Sequence, residues 1–178
     1  MLADIIQKIA IPEGVTVEVV DGVVKVKGPK GENQRTLAHR NVKIQVEDRN
    51  VVLSAKKPTK REKTMIGTFK AHVKNMIRGV LEGYTYKLKI CSSHFPITVN
   101  VEGDGVVIKN FLGEKIPRRC KIPKNVSVKV EGSTITLESV DIEKAGKAAS
   151  LIEQATRITN RDRRIFQDGI YITEKPGR

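Results

Sequence analysis

The stretch VTVEVVDGVVKVKG, Val15 to Gly28, decides the fold. Apolar residues alternate on both sides of Asp21-Gly22, the pattern of two antiparallel strands joined by a tight turn. The chain then repeats itself. ITVNVEGDGVVIK, Ile97 to Lys109, carries the same alternation about Asp104-Gly105. VKIQVEDRNVVL, Val42 to Leu53, turns at Asp48-Arg49-Asn50 and is matched by VSVKVEGSTITL, Val126 to Leu137, which turns at Gly132-Ser133. A helical stripe follows each pair of hairpins. The first runs from about Lys63 to Leu81 with Ile66, Phe69, Val73, Met76, Ile77 and Val80 on one side. The second runs from about Ile142 to Ala155 with Ile142, Ala145, Ala149, Ile152 and Ala155. The copies are offset by 80 to 84 residues, longer than a solenoid repeat. The expected fold is therefore α+β. It has two tandem duplicated domains, 1–82 and 83–178, each a small twisted antiparallel sheet with one covering helix. Strand alternation predicts a polar, wet second face on each sheet.

Charge narrows the partner. The 178 residues carry 33 Lys and Arg against 20 Asp and Glu, a formal net charge of +13. Such an excess calls for a polyanion, nucleic acid before a membrane surface, since no strongly amphipathic basic helix supports the latter. A hydrophobic fraction of 39% allows a packed core, and no run nears the roughly 18 apolar residues of a membrane span. Met1-Leu2-Ala3-Asp4 lacks a basic-then-apolar signal pattern, so the protein is expected to stay where it is made. Cys91 and Cys120 are too far apart for a zinc or redox motif and read as small buried side chains in a reducing compartment. The two halves share the charge excess almost equally, so local clusters must decide which surface binds.

Three clusters stand out. Lys56, Lys57, Lys60, Arg61 and Lys63 precede the first helix, and mixed charge at a helix start makes a merely solvated face an equal reading. Lys115, Arg118, Arg119, Lys121 and Lys124 follow a Gly-containing loop with no acid among them. Arg157, Arg161, Arg163 and Arg164 follow the second helix, broken only by Asp162. Like charges crowded together repel, and phosphates would neutralise them with release of condensed counterions. The arginine fork suits phosphate and guanine edges. For Arg118 and Arg119 the alternative is internal pairing with an acid such as Glu114 or Glu131. Beyond Ala155 the helix pattern fades. Asn160 is a natural turn residue, Asp168-Gly169 reads as a second turn, and Ile165, Phe166, Ile170, Tyr171 and Ile172 are expected to anchor the arm. Aromatics are 4% of residues and form no stacking motif, so shape and backbone recognition of folded RNA fits better than bases splayed on a sheet.

Enzyme chemistry finds no support. His39, His72 and His94 share no ligand spacing. Ser93-His94 has no nucleophile elbow around it. Gly28-Pro29-Lys30-Gly31 lacks the spacing of a phosphate-binding loop and reads as a plain turn. No catalytic residue, metal site or cofactor is expected.

Several segments point to a family. HFPI at His94 to Ile97, then NFLGEK at Asn110 to Lys115, resembles the L-six family of large-subunit ribosomal proteins. So do QAT at Gln154 to Thr156, NRDRRIFQDGIY at Asn160 to Tyr171 and HVKNMIRGV at His72 to Val80. The likeness is to the archaeal and eukaryotic branch, whose eukaryotic members are called L-nine. The bacterial Lys-Gly-Lys-Gly loop is missing and Asp-Gly-Ile-Tyr stands in its place. The resemblance implies two duplicated α+β domains and a structural, non-enzymatic role in the large subunit of the cytoplasmic ribosome. It implies a position beside the sarcin-ricin region and the stalk base. The C-terminal domain would grip large-subunit rRNA, with stalk-base ribosomal proteins as neighbours. The N-terminal domain would face the side where translation factors dock. The expected RNA-binding residues are Lys87, Lys89, His94, Lys109, Asn110, Gly113, Lys115, Arg118, Arg119, Lys121, Lys124, Arg157, Asn160, Arg161, Arg163, Arg164 and Lys175. The competing class is a duplicated protein-binding domain charged only for solubility. Its binding would lack the steep salt dependence of RNA binding.

Overall fold

A computed structural model describes residues 4–177. Met1 to Ala3, part of the N-terminal stretch read above, lie outside the described residues. The chain divides into two compact units, 1–83 and 84–178. Gly83 closes the first because it ends the helix there. It takes left-handed backbone (φ 74), and its N–H donates to the Gly79 carbonyl at 3.0 Å.

The first unit holds β1 (Ile5–Ala10), β2 (Thr16–Val20), β3 (Val23–Gly28), β4 (Gly31–Thr36), β5 (Lys43–Glu47), β6 (Asn50–Ala55) and α1 (Lys60–Leu81). Its strands form two antiparallel sheets, ordered β1-β6-β5 and β2-β3-β4. Asp21 (φ 48) and Gly22 (φ 76) make the expected tight turn between β2 and β3. Ile66, Phe69, Val73, Met76, Ile77 and Val80 of α1 are all buried, as the stripe predicted. Pro29-Lys30 is a turn between β3 and β4 that serves the helix. The Lys30 N–H donates to the Val80 carbonyl at 3.0 Å, and its ammonium bonds the Glu82 carbonyl. The segment thus caps a helix C-terminus.

The second unit repeats the plan with β7 (Tyr84–Cys91), β8 (Thr98–Glu102), β9 (Gly105–Lys109), β10 (Arg118–Lys121), β11 (Ser127–Glu131), β12 (Thr134–Ser139) and α2 (Ile142–Ala155). One sheet is ordered β10-β9-β8. The other gains β13 (Gly169–Glu174) and runs β11-β12-β7-β13. The duplication extends to single hydrogen bonds. Ile11 N–H donates to Arg49 O at 2.8 Å, and Ile90 N–H donates to Ser133 O at 2.7 Å at the equivalent place. Leu37 N–H to Gly22 O at 2.7 Å is matched by Ile122 N–H to Asp104 O at 2.9 Å.

The class and the tandem duplication agree with the sequence, and three details differ. Each unit carries two sheets where the repeat suggested one. The middle strands β6 and β9 have no wet face, because Val51, Val52 and Leu53 are all buried, as are Val106, Val107 and Ile108. The turn after β8 lies at Gly103-Asp104, one residue earlier than read. Gly105 is already in β9, paired with Lys121, and a Cβ there would lie 2.6 Å from the Cys120 carbonyl oxygen.

Thr59 and Glu62 form a capping box at the start of α1. The Thr59 hydroxyl, the Asn41 amide at 3.1 Å and the Thr59 N–H at 2.8 Å all donate to the Glu62 carboxylate. They hold its pKa down at about 2 from an ordinary 4.5, the Thr59 hydroxyl contributing most and Asn41 next. The unfolded carboxyl takes up its proton first, so this stabilisation is in place above about pH 4.5 and is lost as pH falls towards 2. Urea unfolding of the helix followed across that window is expected to show an acid loss that Glu62→Gln flattens. An unchanged acid limb in the variant would remove the capping box as its cause.

Candidate nucleic-acid interface

The second copy departs from the first in two places, and the basic residues collect there. The first departure is the β9–β10 connection. Its counterpart in the first unit is the Pro29-Lys30 turn, whereas residues 110–117 intervene here. Asn110 (φ 60), Leu112 (φ 50) and Gly113 (φ 77) all take left-handed backbone. Three things hold that shape. Phe111 is buried to 1% exposure. The Asn110 amide donates to the Pro96 carbonyl at 3.1 Å. At Gly113, a Cβ would stand 3.3 Å from the Phe95 ring.

The loop closes on Arg118. Glu114 accepts a two-pronged pair from it, Nε to Oε2 at 2.8 Å and Nη2 to Oε1 at 2.6 Å. Nη1 of the same guanidinium donates to the carbonyls of Ala155 at 2.9 Å and Arg157 at 3.2 Å. Its carbon lies 4.3 Å from the centroid of the Phe111 ring. The Arg118 hydrogen bond, then the charges of Arg118 and Arg161, hold the Glu114 carboxyl below its ordinary value against the opposing pull of burial. Arg118 is thus internally engaged, the alternative left open by the sequence. It ties the 110–118 loop to the end of α2.

The second departure is the arm after α2. Thr156, 4% exposed, accepts from the Ile170 N–H at 2.9 Å and donates to the Glu153 carbonyl at 3.1 Å. The Glu153 carboxylate accepts from the Ile172 N–H at 3.1 Å. These bonds hold β13, whose other edge pairs with β7. Asp168, 2% exposed, accepts from the Ser93 N–H at 2.8 Å and from the Ser93 hydroxyl. Asp168-Gly169 is therefore a buried tether running into β13, not a turn. The turn lies at Arg163–Ile165. Asn160 (φ 57) bends the chain before it. Ile170 is fully buried, and Phe166 and Ile172 pack beside the core. Ile165 is 73% exposed and anchors nothing. The Arg161 guanidinium lies over the Phe166 ring at 4.9 Å. Arg164 forks onto Asp162 at 2.8 Å, which raises its pKa and lowers that of the acid. Both stay exposed, where such a pair is weak.

The second and third sequence clusters therefore meet through Arg118. The structure gathers Asn110, Gly113, Lys115, Arg118, Arg157, Asn160, Arg161, Arg163 and Arg164 on the loop and the arm, with exposed His94 beside Phe95 at 4.7 Å between ring centres. Other candidates lie apart. Lys121 pairs with Gly105 at the far end of β9, roughly 13 Å along the strand from Lys109. Lys124 borders a hollow with the Gly103-Asp104 turn at that same end. Arg119 is exposed on β10. Lys109 reaches Glu102 at 3.9 Å, and Lys87 pairs with Glu174 at 2.9 Å, with Lys175 next in the chain. Lys89 is exposed on β7. Sequence reasoning missed Glu153 and Thr156 and misread Asp168. Each holds a backbone or hydroxyl group far away in the chain, and only the spacing of Thr156 just past a helix end hinted at such a role.

The ribosomal protein L6 model matches residues 11–83 and again 95–169. The chain belongs to the ribosomal protein L6 family. Among curated relatives, a large ribosomal subunit protein uL6 from Desulfurococcus amylolyticus is 54% identical over 173 residues, covering 95% of this chain and 94% of the relative. The uL6 of Aeropyrum pernix is 46% identical over 172 residues, covering 96% and 94%. That of Methanobrevibacter smithii is 47% identical over 173 residues, covering 97% of each. The two matched spans coincide with the two copies of the repeat. The chain is accordingly a structural constituent of the large ribosomal subunit, a family role that is not enzymatic, with rRNA and other ribosomal proteins as its partners.

Proposed function

We propose that the second unit, residues 84–178, is the rRNA-gripping domain and that the loop at 110–118 and the arm at 156–168 form one phosphate-binding surface. The Arg118 bridge between them carries this reading. It converts two basic clusters distant in sequence into one charged face held by rigid elements. On the family resemblance, that face sits on large-subunit rRNA near the sarcin-ricin region and the stalk base of the cytoplasmic ribosome. The first unit, 1–83, forms an independent domain towards the factor-docking side.

Salt dependence tests the surface. Replacing Arg161, Arg163 and Arg164 by Ala is expected to weaken binding to large-subunit rRNA. The slope of log affinity on log salt should become shallower by about one unit for each phosphate contact removed. A triple variant with the wild-type slope would take the arm off the phosphates. Arg119→Glu, exposed on β10 and apart from that surface, should leave the fold unchanged and lower affinity far less than the triple variant.

A further inference from the structure

The arm and the end of α2 enclose a cleft of about 450 Å³ whose lining includes Gln154, Arg157, Arg163, Phe166, Gln167 and Tyr171. We propose that this cleft receives one unstacked nucleotide of the rRNA, its base against the aromatic side chains and its phosphate on the two arginines. The proposal rests on the RNA-binding reading and adds a specific occupant to it.

Four observations carry it. The size is that of a small-ligand site, within the usual range of about 300–1,000 Å³. Two aromatics, Phe166 and Tyr171, line the cleft. Tyr171 is 43% exposed although it lies on a strand, and its ring rests on Gly169, where a Cβ would stand 3.0 Å away. The Phe166 ring already carries the planar Arg161 guanidinium at 4.9 Å, the kind of flat contact a base would make. The charge is unspent. Among the described residues neither the Arg157 nor the Arg163 side chain has an ion-pair or hydrogen-bond partner, whereas Arg118 and Arg164 are both held by acids. The Gln154 and Gln167 amides add donors and acceptors of the kind that read a base edge. Gln154 spends its nitrogen on Ser150, at 3.1 Å, and Gln167 its own on the Arg164 carbonyl, at 3.3 Å. The oxygens of these two side-chain amides accept nothing among the described residues, so they suit a base amino group. Scarcity of aromatics argues against bases splayed over a sheet. It does not argue against a single base in a cleft where two of the chain's aromatics stand together.

The experiment compares two RNA hairpins of the same stem, one fully paired and one with a single bulged 5-iodouridine, at one fixed salt concentration. Wild-type protein should bind the bulged hairpin about tenfold more tightly, the size of one stacked base, and irradiation should cross-link it to Phe166 or Tyr171. Tyr171→Leu should lose that preference while keeping its affinity and salt slope on the paired hairpin. A Gln154→Ala, Gln167→Ala double variant on the rim should lose part of it and guards against a folding defect in the first. Equal binding of both hairpins by wild-type protein, or cross-links confined to other regions, would overturn the cleft but leave the phosphate surface standing. Binding of neither hairpin at low salt would overturn both. Displacement by uridine monophosphate at concentrations equal to the hairpin would make the cleft a free-nucleotide site and overturn its assignment to RNA.

Discussion

A chain ending at Ala155 is expected to lose the fold of its second unit and nearly all affinity for large-subunit rRNA, while α1 and its sheets stay folded. The arm is part of the core, not an appendage. Ile170 is fully buried, Ile158 is 8% exposed, and both belong to the cluster that includes Leu88, Ile135, Leu137 and Ile152. Burying two such side chains contributes on the order of 3–6 kcal/mol, against about 5–15 kcal/mol for a whole domain. Truncation also strips β13 from β7, exposing a strand edge, and leaves Ser93 without Asp168. Hydrogen exchange read segment by segment would check this. Protection should vanish across β7, β12 and α2 and persist in α1 and β6. Native-like protection in β7 would show that the arm is dispensable to the fold. Collapse of protection in α1 would show that the first unit does not stand alone.

The parts of the fold legible in the sequence were those with a short-range signal. The hairpins about Asp21-Gly22 and Gly132-Ser133 repeat every second residue. The helices repeat at 3.6, and α2 ends at Ala155 where its stripe fades. The strands β1, β7 and β13 were not legible as a set, because their partners lie far off in sequence. Ile5 pairs with Ala55 and Gly169 with Cys91, and no local pattern announces such pairings. The unexpected second sheet in each unit has the same origin. Val51-Val52-Leu53 and Val106-Val107-Ile108 are unbroken apolar runs, the mark of a strand covered on both faces.

The candidate site was legible as charge and illegible as architecture. Composition and clustering found Arg118, Arg157 and Arg161, but they could not say which arginine faces outward. Arg118 is held by two carbonyls 37 and 39 residues away, a relation no local window contains. Asp168-Gly169 was misread for a related reason. The dipeptide is a good turn signal, but here Ser93, 75 residues earlier in the chain, claims the carboxylate. Divergence between the two copies is the more informative guide. Pro29-Lys30 against residues 110–117, and a first unit with no counterpart to β13 among its described residues against a second that has it, mark where the second unit carries a surface the first lacks.

Arg118→Ala is expected to have the largest effect of any single substitution at that surface, and through position, not through charge. The side chain makes four hydrogen bonds and covers the Phe111 ring. Bonds to charged groups contribute about 1.5–3 kcal/mol each, without simple additivity, so a loss of about 3 kcal/mol from the second unit is expected. Loop 110–118 and residues 155–158 should lose hydrogen-exchange protection together, because one guanidinium holds both. Arg118→Lys should restore little, since an ammonium cannot reproduce the fork that meets Glu114 and two carbonyls at once. Glu114→Gln should act in the same direction more mildly. Because Arg118 lowers the Glu114 pKa, the Glu114 contribution is present above the ordinary carboxyl range and is lost as pH falls below it. The RNA readout separates positioning from contact. Rigid presentation of the neighbouring arginines should fail, so affinity drops, while the salt slope changes by much less than one unit because Arg118 itself meets no phosphate. A slope that falls by a full unit with loop protection intact would instead place Arg118 on the RNA, and the bridge between loop and arm would no longer explain why the two basic clusters act as one.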